Sequence, residues 1–458
     1  MTDTPARGMR RLLVRLARAA PVRIFALEGA DVPAPLGDLR LHDDVRLLDS
    51  PRSANVLLVA GRLPAALHDA ARRVHDMLSH PRATLVWTDS SAGAGDGNPF
   101  PHATAIGPSD DVVETLRRVQ RELLTRQRAS DAALLPDEEP APWRGVGPYG
   151  QGGTGMTGGV PYGRPMAERA ADRDGLELDQ LPVRVGPFFP AFPTGLTLDL
   201  RLQGDIVQSA SVGDNPFATS AGSADGHAEN VTSTDPFRRA LTEPVLVAEL
   251  ELARARHHLR WLAHALRTHG LGMLGRRVLA MLPVLEPGRL DDVRALRRVL
   301  QRTGGLGWST AGVGSIPGDR LAGQGLGPVA RASGLREDAR LEDGAYGALD
   351  FEPIVQAEGD ARARWRQRLM EAAQSLELAG RAGDRRTETA QAVESPRGLW
   401  GPGHDPVTAL LALVPELLRD LEWGDAVTTV VSLDLDLREA PVTGANQKAD
   451  RRSTEDAA

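Results

Sequence analysis

Four histidines crowd one stretch of helical spacing: His257, His258, His264 and His269. Metal ligation wants a pair at i, i+3 or i, i+4, completed by a carboxylate from a neighbouring element. His257 and His264 stand seven residues apart near one helical face, but Arg254, Arg256 and Arg260 surround them with charge that repels a dication. These histidines therefore read as solvated or helix-packing residues. Ser90 and Ser91 follow a predicted strand, yet neither lies in the G-x-S-x-G turn that exposes a nucleophile. Gly145, Gly147 and Gly150 spell G-x-G-x-x-G, but no strand precedes them and no helix follows, so the dinucleotide fingerprint is incomplete. The G-x-x-x-x-G-K-[ST] phosphate loop is missing, and the only lysine is Lys448. The acid pairs Asp110-Asp111 and Glu138-Glu139 read as a helix start and a linker. Taken by type and spacing alone, the residues assign no catalytic, cofactor-binding or metal position.

Cysteine is absent from all 458 residues. That excludes disulfides, thiolate nucleophiles, zinc-thiolate sites and any iron–sulfur or nickel–iron centre held by this chain's own thiolates. A reducing compartment fits the missing disulfides. With 54 basic against 61 acidic residues, the net charge is -7. A nucleic-acid binder needs a basic surface, so that class is disfavoured. The 41% hydrophobic content is enough to bury sizeable cores, and the length suggests two to four domains. No apolar run approaches the roughly 18 residues of a spanning helix. Met9 to Ala20 reads as a basic amphipathic helix suited to a membrane surface or a partner, or as an ordinary exposed first helix.

The elements that would position these residues fall into two halves. In residues 22–130 apolar strands alternate with amphipathic helices: strand Ala54–Ala60, helix Leu63–Leu78, strand Ala83–Thr88, helix Asp110–Arg128. That order predicts a parallel sheet covered by helices. Residues 131–165 form a Pro/Gly-rich linker, with nine glycines between Gly145 and Gly163. Residues 166–445 open with strand-like alternation through Leu181–Val185, Leu196–Leu202 and Ile206–Val207, and continue into a polar loop, Ser209–Asp235. Helices are expected over Glu243–Leu271, Arg289–Arg302, Ala357–Leu378 and Val407–Leu421, with a closing strand at Ala426–Leu435. Residues 1–21 are the basic segment, and the tail 446–458 is charged and of disordered composition.

Ser50-Pro51-Arg52-Ser53-Ala54-Asn55-Val56-Leu57-Leu58-Val59-Ala60-Gly61 resembles the S-P-R-x-A-D-V-L-L-V-x-G strand of the small, cluster-carrying subunit of respiratory complex I and membrane-bound nickel–iron hydrogenases. The resemblance implies a flavodoxin-like parallel-sheet domain. It also places the family's four cluster cysteines at Leu27, Ala30, Ser90 and Ser109, so every thiolate ligand is replaced.

The second half resembles the large, 49-kilodalton-type subunit of the same assemblies. Gly186-Pro187 to Val207 is similar to its G-P-x-H-P hairpin, and Gly327-Pro328-Val329-Ala330-Arg331-Ala332-Ser333-Gly334 to its G-P-V-A-R-A-S-G segment. Glu394-Ser395-Pro396-Arg397-Gly398 is similar to its E-S/A-P-R-G turn. This implies a mainly α domain with a small N-terminal β-sheet, as in nickel–iron hydrogenase large subunits. Phe189 takes the position of the family's quinone-facing histidine. The segment bearing its quinone-facing tyrosine, or the nickel ligands, shrinks here to Ser209–Asp235. Together the resemblances imply a fused, degenerate pair lying at the cytoplasmic face of the membrane. Its partners would be ion-translocating membrane-arm subunits of a complex-I-like assembly, and it would hold no cofactor. Two alternatives stay open: an active NADH–quinone oxidoreductase subunit with a modified quinone cavity, and a soluble ligand-binding module reusing the vacant cluster pocket.

Overall fold

The computed structural model describes residues 17, 19–33, 36–88, 98–136, 167–171, 175–218 and 235–438. Most of the basic N-terminal segment, Ser90 and Ser91, Glu138-Glu139, the glycine-rich linker, most of the polar loop and the C-terminal tail lie outside the described residues.

Strand β3 (Val56–Ala60) is buried at all five positions, which is what a continuous apolar run becomes when both sheet faces are covered. It sits between β1 (Val22–Glu28) and β4 (Ala83–Trp87), with β2 (Val45–Leu47) and β5 (Thr104–Ile106) at the edges. All four pairings are parallel, in the order β2-β1-β3-β4-β5. This is a doubly wound order whose crevice opens between the ends of β1 and β3. Helix α1 (His68–Asp76) lies on one face. On the other, α2 (Val112–Thr125) buries Leu116, Val119 and Leu123 against Ile24, Leu58 and Leu85. The Asp111 carboxylate caps α2 by accepting from the Glu114 amide at 3.0 Å, so the acid pair is a helix start as read.

An antiparallel sheet opens the second half, built from β6 (Glu168–Ala171), β7 (Glu177–Val185), β8 (Leu198–Gln203) and β9 (Ile206–Val212) in sequence order. Its β9 edge is closed by main-chain bonds: the Val207 amide donates to the Leu421 carbonyl and the Asp420 amide to the Val207 carbonyl. Two 22-residue helices, α3 (Val247–Thr268) and α7 (Ala361–Ala382), run against each other through the centre of the helical region. Around them lie α4 (Gly272–Met281), α5 (Leu290–Thr303), α6 (Gly327–Ala332), α8 (Pro406–Leu418) and α9 (Trp423–Leu433). Helix α4 continues the expected Glu243–Leu271 helix after a turn at Gly270. It approaches α3 closely because Gly275 carries no Cβ, which would lie 2.7 Å from the Ala263 carbonyl.

Two expectations fail. Ser209–Val212, expected to open a polar loop, instead completes β9 and pairs antiparallel with β8. Ala426–Leu435, read as a strand from its β-branched run, is the helix α9. Ala426, Val430 and Leu433 recur at helical spacing and are buried, and Thr428 and Thr429 return their hydroxyls to the carbonyls of Gly424 and Asp425. Tertiary burial overrides β-propensity here, since every residue of α9 from Thr428 to Leu433 is buried. Among the described residues no helix is long and apolar enough to cross a membrane.

The halves share one core. Phe25, Leu27, Leu57 and Val59 of the parallel sheet cluster with Phe192, Leu196, Leu198 and Val207 of the hairpin region and with Val407 and Leu410 of α8. Ion pairs rim the contact: Arg267 to Asp49 at 2.8 Å, Arg276 to Asp43 at 2.7 Å and Arg438 to Glu28 at 2.6 Å.

Candidate functional site

The crevice between the ends of β1 and β3 is where an open α/β sheet offers a ligand site. Here its two turns close on each other. The Ala30 amide donates to the Arg62 carbonyl and the Arg62 amide to the Ala30 carbonyl, both at 2.8 Å. Gly61 makes this possible at φ +77°, and a Cβ at either Gly29 or Gly61 would collide with the opposing backbone. Leu27 does not face the crevice as a ligand position would; it is fully buried in the shared core. Ser109 sits on an exposed turn before α2, and Ser90 lies outside the described residues. A tetranuclear cluster needs four thiolates around an open pocket. A buried leucine, a backbone-paired alanine and an exposed serine do not fit one.

Phe189 is placed where the halves meet. Its ring makes an edge contact with Phe192 at 4.9 Å and lies 6.0 Å from Trp423. On one side of it opens an inter-half cavity of about 940 Å³, with Phe25, Leu48, Phe188 and Leu435 on its apolar surface and Arg40, Arg267, His257 and His264 among its polar lining. A second cavity of about 1180 Å³ lies on the other side, between Arg62, Pro64, Arg73, Pro187 and Trp423. Arg40 and Arg267 share the single Asp49 carboxylate at 3.4 and 2.8 Å. Burial and the neighbouring Arg267 charge hold Arg40 down to about 10.

Three of the four helix histidines have specific hydrogen-bond partners, and the fourth, His258, packs without one. His264 meets the Ala191 carbonyl at 3.0 Å and Arg267 at 3.2 Å. His269 contacts the Ala265 carbonyl and Thr428, with its ring edge-on to Trp365. His257 Nε2 lies 2.8 Å from Asp434 Oδ2. His258 is fully buried with Nε2 3.3 Å from Glu371, an approach whose angle is not that of a hydrogen bond. Burial pushes His258 down to about 4, and burial together with the Arg267 charge does the same to His264; both rings are neutral at pH 7. Among the described residues no group of three or more histidines and carboxylates is arranged to hold a metal ion.

The densest chemistry lies between α3 and α7, where residue typing alone saw nothing. Arg331 is fully buried and donates to Glu371 at 2.8 and 3.2 Å and to Glu394 at 2.7 Å, with Asp338 at 3.0 Å. Asp338 also takes both prongs of Arg340, at 2.9 and 2.7 Å. Arg340 reaches on to Glu251, which accepts from the Tyr346 hydroxyl at 2.7 Å and from Arg254 at 3.2 Å. Burial opposes ionisation of Glu371, but the Arg331 charge and its hydrogen bonds win and hold that carboxyl well below the usual range. A second cluster faces the cavity. There Asp434 meets His257, Arg368 and Arg397, while Arg438 joins Asp436 to Glu28 of the first half. A sequence signal for the seam did exist: Glu251, Arg254 and His258 fall on one face of a helix otherwise apolar there, as do Arg364, Arg368, Glu371 and Ser375.

The motif segments meet at this seam. Helix α6 is buried throughout and carries Arg331, while the Glu394–Gly398 turn carries Glu394 and Arg397. Gly327 and Gly398 let the two backbones touch, since a Cβ on Gly327 would lie 2.6 Å from the Gly398 Cα. The fold and site thus define a parallel α/β unit joined to a helical unit with a buried ion network. Residues 292–434 match the family model of the 49 kDa subunit of respiratory-chain NADH dehydrogenase. That span runs from α5 to Asp434 and includes Arg331, Asp338, Glu371 and Glu394. None of the curated proteins matches the chain.

Proposed function

We propose that this chain is a cluster-free structural and coupling subunit of a complex-I-like assembly, built from a degenerate small-subunit-like half fused to a 49-kilodalton-like half. The observation that carries this reading is the 49 kDa family match, whose two most specific segments are locked together through Arg331 and Glu394. The small-subunit-like part rests on the Ser50–Gly61 strand and on turns that hold no thiolate. In this reading the inherited architecture serves assembly: the closed Ala30–Arg62 turns stiffen the end of the sheet, and the buried network keeps the helical half rigid. The partners are ion-translocating membrane subunits, met at the cytoplasmic side. Pull-down of the tagged full chain from native membranes is the test. Co-elution of membrane-arm subunits, with no iron bound by this chain, is the expected result. A chain recovered alone from the soluble fraction refutes the proposal.

A second reading has one specific support, the cavities that flank Phe189. They make room for an apolar headgroup on Phe188 and Phe189, so a modified quinone site stays a defined alternative. Quinone-dependent turnover by the purified assembly that falls on Phe189→Trp would favour it over the structural role.

A further inference from the structure

The charge in the α3–α7 seam does not balance. Four carboxylates, Glu251, Asp338, Glu371 and Glu394, face three guanidiniums, Arg254, Arg331 and Arg340. No side chain among them is more than 4% exposed. Neighbouring groups do not repair the deficit. At the cavity end, Arg364, Arg368, Arg397 and Arg438 are matched by Asp360, Asp434, Asp436 and Glu28. On the short helix Pro236–Ala240 that packs beside Glu394, Arg239 is taken by Glu249, and Arg238 is exposed over the Trp400 ring. Both His257 and His258 are driven toward the neutral form by burial. An unpaired negative charge in such a place is costly enough that a proton joins it.

We propose that Glu394 is a proton-binding site that holds one proton at neutral pH and ties that proton to the Glu394–Gly398 turn. Hydrogen-bond supply selects it among the four. Glu371 receives both prongs of Arg331 and the Gln367 amide at 2.6 Å. Asp338 receives both prongs of Arg340 and the Arg340 main-chain amide. Glu251 receives Tyr346, Arg254 and Arg340. Glu394 has one Arg331 N–H on Oε1, and its Oε2 meets only the Ala339 amide at 3.4 Å. That oxygen is the one a proton stabilises most. Burial, then the Asp338 charge, raises the Glu394 carboxyl above its usual 4.5.

The linkage to the turn is covalent and short. Three residues after Glu394, Arg397 reaches Asp434 and Asp436, and Asp436 holds Arg438 against Glu28 on β1. Ser395 and Gly398 exchange main-chain hydrogen bonds at 2.8 and 3.2 Å, so the turn moves as a unit. Ionising Glu394 beside Asp338 therefore pushes on the turn whose Arg397 shares Asp436 with Arg438, the residue that grips Glu28 of the first half. This inference stands whether or not the chain joins a membrane assembly.

The test is infrared spectroscopy of the full chain at neutral pH, with carbon-13 glutamate to assign the band. The expected result is a protonated carboxyl band, shifted in deuterium oxide and lost in Glu394→Gln. Glu371→Gln tests the charge count: it removes the excess carboxylate elsewhere, so the Glu394 band should vanish although Glu394 is unchanged. Stability against pH gives an independent reading. With a raised folded-state value, the native state keeps a proton the unfolded chain has lost, so wild-type stability falls as pH rises through that window. Glu394→Gln should flatten this fall. A wild-type spectrum without the band overturns the proposal. So do a band that survives Glu394→Gln and a nitrogen-15 spectrum showing His258 as imidazolium.

Discussion

Replacing Arg331 by methionine keeps most of the side-chain volume and removes the charge that three carboxylates share. Its partners lie at 2.7 to 3.2 Å, and both sides of each pair are essentially dry. At an effective dielectric near 20, one such contact is worth about 5 kcal/mol of Coulomb energy, much of it offset by desolvation of the pair. Truncation leaves the carboxylates buried without their partner, which costs ~3–5 kcal/mol. With an m-value of about 3 kcal/mol per molar urea, the unfolding midpoint should drop by roughly 1–1.7 M. Trp261 and Trp365 stack edge-to-face at 5.4 Å across α3 and α7, so intrinsic fluorescence reports on this seam. Arg320→Met is the matched control. Arg320 grips Glu416 at 2.6 and 2.9 Å with similar geometry, but the two side chains are 40% and 66% exposed, and water replaces what the mutation removes. Its midpoint should stay within error of wild type. If the two substitutions moved the midpoint equally, burial would not be what gives the Arg331 network its weight.

His264 titrates near 6.5 when unfolded and at about 4 in the fold, so the native state resists its proton and stability should fall as pH drops from 6.5 toward 4. His264→Gln should remove ~3 kcal/mol of that acid loss, and an unchanged pH profile would contradict the assignment of a neutral ring. Gly61→Ala forces a side chain into a left-handed position against the Ala30 carbonyl and should cost at least about 2 kcal/mol, read as a lower urea midpoint. Placing four thiolates as Leu27→Cys, Ala30→Cys, Ser90→Cys and Ser109→Cys should yield no tetranuclear cluster on reconstitution with iron and sulfide. Visible absorbance and electron paramagnetic resonance would expose the reasoning as wrong if one formed.

The parallel sheet was legible because β3 and β4 are apolar runs between turn residues, a pattern with few other uses. The helices of the second half were legible from their apolar spacing, with or without a cap: α3 and α5 have no side-chain cap, whereas the Asp405 carboxylate caps α8 at 3.0 Å. Helix α9 was misread because a run such as Val427-Thr428-Thr429-Val430-Val431 carries strand propensity, and its burial on all sides from Thr428 to Leu433 leaves no amphipathic period to read. The seam was invisible to residue typing for a different reason. Arg331 and Glu371 are forty residues apart and Glu251 and Arg340 eighty-nine, so the helical spacing of polar residues on α3 and α7 marks two polar faces but not the partners they meet. Position 189 was singled out by resemblance, and the fold puts it at the junction of the halves. By contrast, nothing in the turn sequences disclosed that Ala30 and Arg62 would pair.

The shared core has a consequence for how such a protein is made. Phe25 and Leu57 on one side and Phe192 and Leu196 on the other are dry only while the halves are together. Two separate polypeptides with these faces would find each other by mass action, and a shortfall of either would leave the other with a greasy surface. On one chain the meeting is intramolecular, at an effective concentration set by the connecting segment rather than by expression level. Dosage imbalance between the halves is then impossible, and the first half waits for its cover only as long as translation of the second half takes.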